Sequence, residues 1–167
     1  MLQFSDTPIT QSAARADWMA LLARAPLSLL EPALSAHSMH APKWLRAPET
    51  GLMMIQGRAG GTGARFNLGE VTVTRCALRL NPPSSTPHVG IAYVLGRSHR
   101  QAQLAATADA LLQSPDQHAA LDTTLLVSIR AHLSALRTQR QDRADSSKVE
   151  FFTVARESDL GEYGDQE

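Results

Sequence analysis

An α+β fold is predicted here: a single domain holding a mostly antiparallel β-meander sheet packed with helices from both termini. Three observations carry it. Apolar side chains recur at helical spacing near the amino terminus and again after Ser98; they follow strand patterns between Lys43 and Arg97; and only short turn-rich segments separate those strands. Strands joined by short turns pair antiparallel, because a parallel pair needs a long crossover. At 167 residues the chain is long enough for one domain with a real core and too short for two ordinary ones. The expected organisation is a flexible arm at residues 1–11, one domain at 12–156, and an acidic disordered tail at 157–167 that carries five acids and no base.

From Ser12 the pattern turns helical, with Trp18, Leu21, Leu22 and Ala25 on one face, until Pro26 stops it. A second helix over Leu27 to His37 presents Leu27, Leu30 and Leu34, with Pro32 inside it as a kink or a later start. His37 and His40 lie beside no carboxylate and read as a helix end rather than as metal ligands.

Pro42 opens the extended region. Lys43 to Ala47 predicts a short strand, Pro48 to Thr50 a turn, and Gly51 to Arg58 a strand apolar on both faces, hence central and covered twice. Ala64 to Leu80 is the longest β-pattern, with Gly69 as a bulge or bend. Asn81 to His88 holds three prolines and forms a loop. In the strand that follows, the large residues Val89, Ile91, Tyr93 and Leu95 alternate with the small face of Gly90, Ala92, Val94 and Gly96, which lets a helix pack closely. Two arginines ending strands of one sheet need not be neighbours, but in this four-strand meander the strands ending in Arg58 and Arg97 share one edge, where the two could form a guanidinium pair.

Ser98 and Gln101 form a capping box for a helix that buries Leu104, Ala105, Ala108, Leu111 and Leu112 and ends at Ser114-Pro115. Leu121, Leu125 and Ile129 suit a helix, but the β-branched run from Thr123 to Ile129 is read as a strand. An exposed helix from Arg130 to about Asp145 and a last strand from Val149 to Arg156 complete the domain. That strand could pair with the sheet edge of a neighbouring copy.

Composition narrows the function. With 43% apolar and 19% charged residues, and no apolar run near the roughly 18 residues that span a bilayer, the chain reads as a soluble protein with no membrane partner. The first residues show neither the basic nor the hydrophobic part of an export signal, which points to the cytoplasm. The lone Cys76, set in an apolar strand, reads as a buried, inert thiol and rules out an internal disulfide. Net charge is zero but segregated. Lys43 to Arg100 holds eight basic residues and two acids, an excess of six, while the chain from Gln101 onward holds eleven acids and six bases. Such a middle serves an anionic ligand or an acidic partner face. Nucleic acid is not expected, since interleaved aromatics are missing and the pI is near 7.

No Ser/His/Asp order, Cys/His pair, HExxH motif or paired carboxylates emerge, so no catalytic residue, metal or cofactor is assigned. Glu49 reads as structural, though a base role is conceivable; His88 and His99 are surface polar residues or phosphate donors at the following helix cap. The candidate contact residues are Arg58, Gly60, Gly61, Thr62, Gly63, Arg65 and Arg97. Three glycines in four positions between two arginines suit a loop shaped for an anion or a partner, or simply a tight hairpin. The loop is neither a Walker A site nor a dinucleotide fingerprint, because no GK[ST] follows and no helix opens after it.

The block from Ala47 to Leu80, with ETGL, IQGR, GGTG and TRCALRL, followed by Val94-x-Gly96-Arg97 and Val149-x-Phe151-Phe152-Thr153, resembles the PhnG family, small subunits of the bacterial carbon-phosphorus lyase system. The likeness runs from about Arg15 to Arg156. It implies partners of the PhnI, PhnH and PhnJ types. It also implies a part in coupling an alkylphosphonate to the ribose of ATP or GTP with release of the base, the nucleosidase chemistry lying in PhnI. One departure is visible: relatives follow Gly-Arg with an acid and then His-Ala-Glu, whereas Ser98 and Gln101-Ala102-Gln103 stand here.

Overall fold

The computed structural model describes residues 7–35, 42–81 and 87–149, with side chains from residue 13 onward. In chain order the elements are α1 (Thr7–Leu22), α2 (Leu27–Leu34), β1 (Lys43–Arg58), β2 (Arg65–Leu80), β3 (His88–Leu95), α3 (His99–Leu112), α4 (Pro115–Leu121), a π-helical turn (Asp122–Leu126) and α5 (Val127–Ser146). The sheet is antiparallel in the order β1-β2-β3. An α+β domain is therefore observed, with three layers: the sheet, α3 across it, and the other helices around α3.

Small residues set the spacing of sheet and helix. Gly90, Ala92 and Val94 of β3, with Thr74, Cys76 and Leu78 opposite on β2, turn toward α3. A Cβ on Gly90 would run into the carbonyl of Ala106, and the Cys76 thiol donates to the Ala102 carbonyl at 3.1 Å. Ala102, Ala106 and Ala110 thus form the side of α3 that lies on the sheet, as the small face of β3 predicts. The other side of α3 meets Trp18, Leu22, Leu30, Leu34, Leu125 and Ile129 within the one core cluster. Ser98 caps α3 by accepting from the Gln101 N–H at 3.2 Å, but the Gln101 side chain reaches the Ala25 carbonyl instead of closing the box.

Four expectations are corrected. Lys43 to Arg58 is one 16-residue strand without a turn at Pro48 to Thr50, because register shifts at Trp44/Arg46 and Arg46/Glu49 absorb the proline. Among the described residues the sheet consequently has three strands rather than the four of the expected meander. The Gly51 to Arg58 segment is, among the described residues, an edge strand, not a central one, and Leu52, Met53 and Met54 are exposed. Finally, Thr123 to Ile129 is helical, for Leu121, Leu125 and Ile129 are buried at helical spacing, and the Thr123 and Thr124 hydroxyls donate to the Ala119 and Ala120 carbonyls. Burial of that stripe outweighs β-propensity.

Helix α1 begins at Thr7, inside the segment expected to be an arm, and α2 ends at Leu34 with Pro32 inside it. His37 and His40, most of the proline loop after Asn81, the expected strand from Val149 to Arg156 beyond its first residue, and the acidic tail all lie outside the described residues.

Candidate functional site

Strand β3 pairs with β2 only from Val73 to Leu80, and one further bond, from the Gly96 N–H to the Thr72 carbonyl, closes that ladder. Beyond it β1 and β2 continue alone as a two-stranded ribbon to the pair Arg58 and Arg65, about 20 Å farther on at 3.3 Å per residue. The register changes once here, between Ile55 and Gln56, where Leu68 is the extra residue next to Gly69. Partners across an antiparallel pair share a face. Met53 with Val71, Ile55, and Phe66 and Leu68 beside Gly57 therefore form one face, and Leu52 and Met54 belong to the other.

The turn is built by glycine. Gly60 and Gly61 have φ of 59° and 78°, where a side chain is strained. The Gly63 N–H donates to the Ala59 carbonyl at 3.0 Å, and a Cβ there would lie 2.9 Å from that oxygen. Thr62 follows, exposed, and the Arg58 guanidinium donates to the Gly63 carbonyl at 3.2 Å. Arg58, Gly60, Gly61, Thr62, Gly63 and Arg65 therefore sit together at the ribbon tip, with the two arginines directly opposite one another.

Arg97 is elsewhere. Gly96 turns the chain away from the sheet at the level of Thr72, with φ of 92°, which leaves Arg97 at the ribbon root roughly 20 Å from the tip. The expected Arg58–Arg97 pair is not formed; the arginine brought to Arg58 is Arg65.

Beside the root runs a hydroxyl chain. Thr74 donates to the Gly96 carbonyl at 2.8 Å, the Thr74 and Thr50 hydroxyls lie 3.1 Å apart, and His99 Nε2 is 3.0 Å from Thr50. Thr74 has spent its proton on Gly96, so Thr50 donates to Thr74 and accepts from His99 Nε2–H, leaving Nδ1 free of that chain. Thr74 is fully buried and sits between Thr50 of β1 and Val94 of β3 in the sheet.

Glu49 lies within β1, not at a turn. It accepts from Arg75 at 2.7 Å and from Arg46 at 2.8 Å on a solvent-exposed face. The Arg75 hydrogen bond holds its carboxyl below the ordinary range, which makes Glu49 a poor proton acceptor at neutral pH. Burial pushes the Cys76 thiol up to about 11, consistent with an inert side chain.

A second polar cluster escaped sequence reasoning. Asp109 of α3 is fully buried and takes Arg15 through Nε at 3.2 Å and Nη2 at 2.8 Å, Trp18 Nε1 at 2.9 Å and the Ile91 N–H at 2.9 Å. Its signal was present, since Asp109 follows Ala105 by four residues on the buried face. Four donors satisfy both oxygens and tie α1 to α3 and β3, so this carboxylate is structural. Among the described residues no group of three His, Cys, Asp or Glu is placed to hold a metal ion, and no helix is long and apolar enough to cross a membrane.

Residues 13–157 match the family model described as phosphonate metabolism protein PhnG. The chain is also 41% identical over 150 residues to the alpha-D-ribose 1-methylphosphonate 5-triphosphate synthase subunit PhnG of Rhizobium meliloti (strain 1021), covering 88% of this chain and 92% of that relative.

Proposed function

Because this chain belongs to the PhnG family of phosphonate metabolism proteins, we propose that it is an accessory subunit of a carbon-phosphorus lyase core complex in the cytoplasm, working beside PhnI-, PhnH- and PhnJ-type subunits. In this reading it is required with its PhnI-type partner for one step. There an alkylphosphonate oxygen bonds to the ribose C1′ of ATP or GTP as the bond to the base breaks, which leaves a ribose 1-phosphonate 5-triphosphate.

The observation that supports it is the placement of cationic and glycine residues at the end of a ribbon held away from the folded body. A guanidinium pair of this kind suits a carboxylate or a phosphate and offers no proton acceptor for bond cleavage. Chemistry belongs to the companion and contact to this chain. Arg58, Arg65 and Arg97 are the residues to test. Each is replaced by alanine in the assembled complex, and turnover and assembly are measured together. Turnover lost with the complex intact supports substrate contact, whereas loss of assembly supports the alternative of a pure scaffold. Release of base from a purine nucleotide by the isolated chain would overturn the proposal.

Self-association through Val149 to Arg156 belongs to the same reading, and a monomeric mass by light scattering at micromolar concentration would remove it.

A further inference from the structure

We infer that the end of the β1–β2 ribbon is an insertion arm. It enters a cleft of a different subunit whose walls are apolar and whose floor carries carboxylates, and Arg58 and Arg65 meet those carboxylates. The inference rests on the reading above, that this chain works inside a larger assembly.

The apolar pattern gives the shape of the occupant. An antiparallel sheet with one side on a core turns apolar residues to that side and polar residues to the other. The ribbon does not: Leu52, 65% exposed, and Met54 lie on the side of α3, while Met53, Phe66 and Leu68, the last 61% exposed, lie on the opposite side. On the α3 side, His99 hydrogen-bonds Thr50 at the root. A flat partner covers one side of such a ribbon; a cleft covers both. A two-stranded ribbon by itself is marginal in water, so its walls contribute stability once enclosed.

Charge gives the floor. Arg58 and Arg65 face each other across the ladder, their Cβ atoms about 5 Å apart, an arrangement that repels unless an anion is shared. Among the described residues neither takes part in an ion pair. Glu49 is held by Arg75 and Arg46, and Glu70, opposite Met54, lies about 13 Å back along the strand. The missing carboxylates come from outside. Asp109, Glu31 and Asp122 of the body are likewise held by its own arginines; a second copy, with eleven acids against six bases from Gln101 onward, is the competing source that the test below separates.

The test uses the full chain co-expressed with its companion subunits. One variant carries Leu52→Asp with Leu68→Asp, one substitution on each face; another carries Arg58→Glu with Arg65→Glu. Both are expected to lower retention in the complex at least tenfold, with the circular dichroism melt of the free chain unchanged. Peroxide oxidation of Met53 and Met54, fast in the free chain, should slow several-fold on assembly. Wild-type retention of the apolar variant, or unprotected methionines, would overturn the inference. So would loss of a homodimer with hetero-assembly intact, which assigns the arm to a second copy. Intact assembly with turnover abolished by the arginine reversal assigns the tip to a small anion instead. If the unaltered chain is not retained at all, the underlying reading falls first.

Discussion

Strand β2 lives in two environments. From Val73 to Leu80 it pairs on both sides, and Thr74, Cys76, Leu78 and Leu80 are buried under the helices. From Arg65 to Thr72 the same strand pairs on one side only and no side chain is buried. Pairing with β1 runs through both halves with a bulge at Leu68, so what the ribbon half lacks is β3 and the packing of the helices. The body is packed against its own helices, whereas among the described residues nothing buries the side chains of the ribbon.

Substitutions in the body should therefore be felt in the isolated chain, and substitutions in the ribbon only in the assembly. The largest effect is expected at Asp109. Asp109→Ala strands the buried Trp18 N–H and Ile91 N–H and the Arg15 charge, and should cost about 3–5 kcal/mol in chemical denaturation. Gly90→Ala comes next, because its methyl meets a helix carbonyl and α3 must lift off the sheet; a loss of about 1–3 kcal/mol is expected by the same measurement. Cys76 gives a pH window. Its folded pKa stands above that of the unfolded chain, so the unfolded state loses its proton first, and stability should fall as pH rises from 9.0 to about 11. Native Cys76 should also resist alkylation at pH 8 until the chain is unfolded. Smallest is Leu68→Asp in the free chain, within about 0.5 kcal/mol of wild type. A large loss there would mean that the ribbon is part of the folding unit, and the contrast would collapse.

How legible this was depends on where the partner of each residue lies. Helix α3, its serine cap and the small face of β3 were readable, because local spacing specifies them and their partners are in the same chain. The buried, inert Cys76 followed from the same strand. The Leu52 to Ile55 run was misread as a central strand for a physical reason: a segment apolar on both faces looks the same whether its cover comes from within the chain or from outside. The break expected at Pro48 failed because a bulged edge strand tolerates proline. Thr123 to Ile129 pitted β-branching against a helical leucine stripe, and the stripe won. At the site, the glycine turn brought Arg58 to Arg65 as local chain reversal requires. Arg97 stayed away, since its position depends on how far β2 outruns β3, a length that no local pattern encodes.

The outer rim of β3 carries one more consequence. Arg15 and Gln113 both donate to the Val89 carbonyl and Asp109 accepts from the Ile91 N–H, so the first two outward-facing residues of that strand are occupied by side chains. The Ile91 carbonyl, Tyr93 and Leu95 follow, a short stretch on which to seat another strand. Among the described residues no side chain caps the β1 flank in this way, so a neighbouring strand is expected to add there rather than along β3.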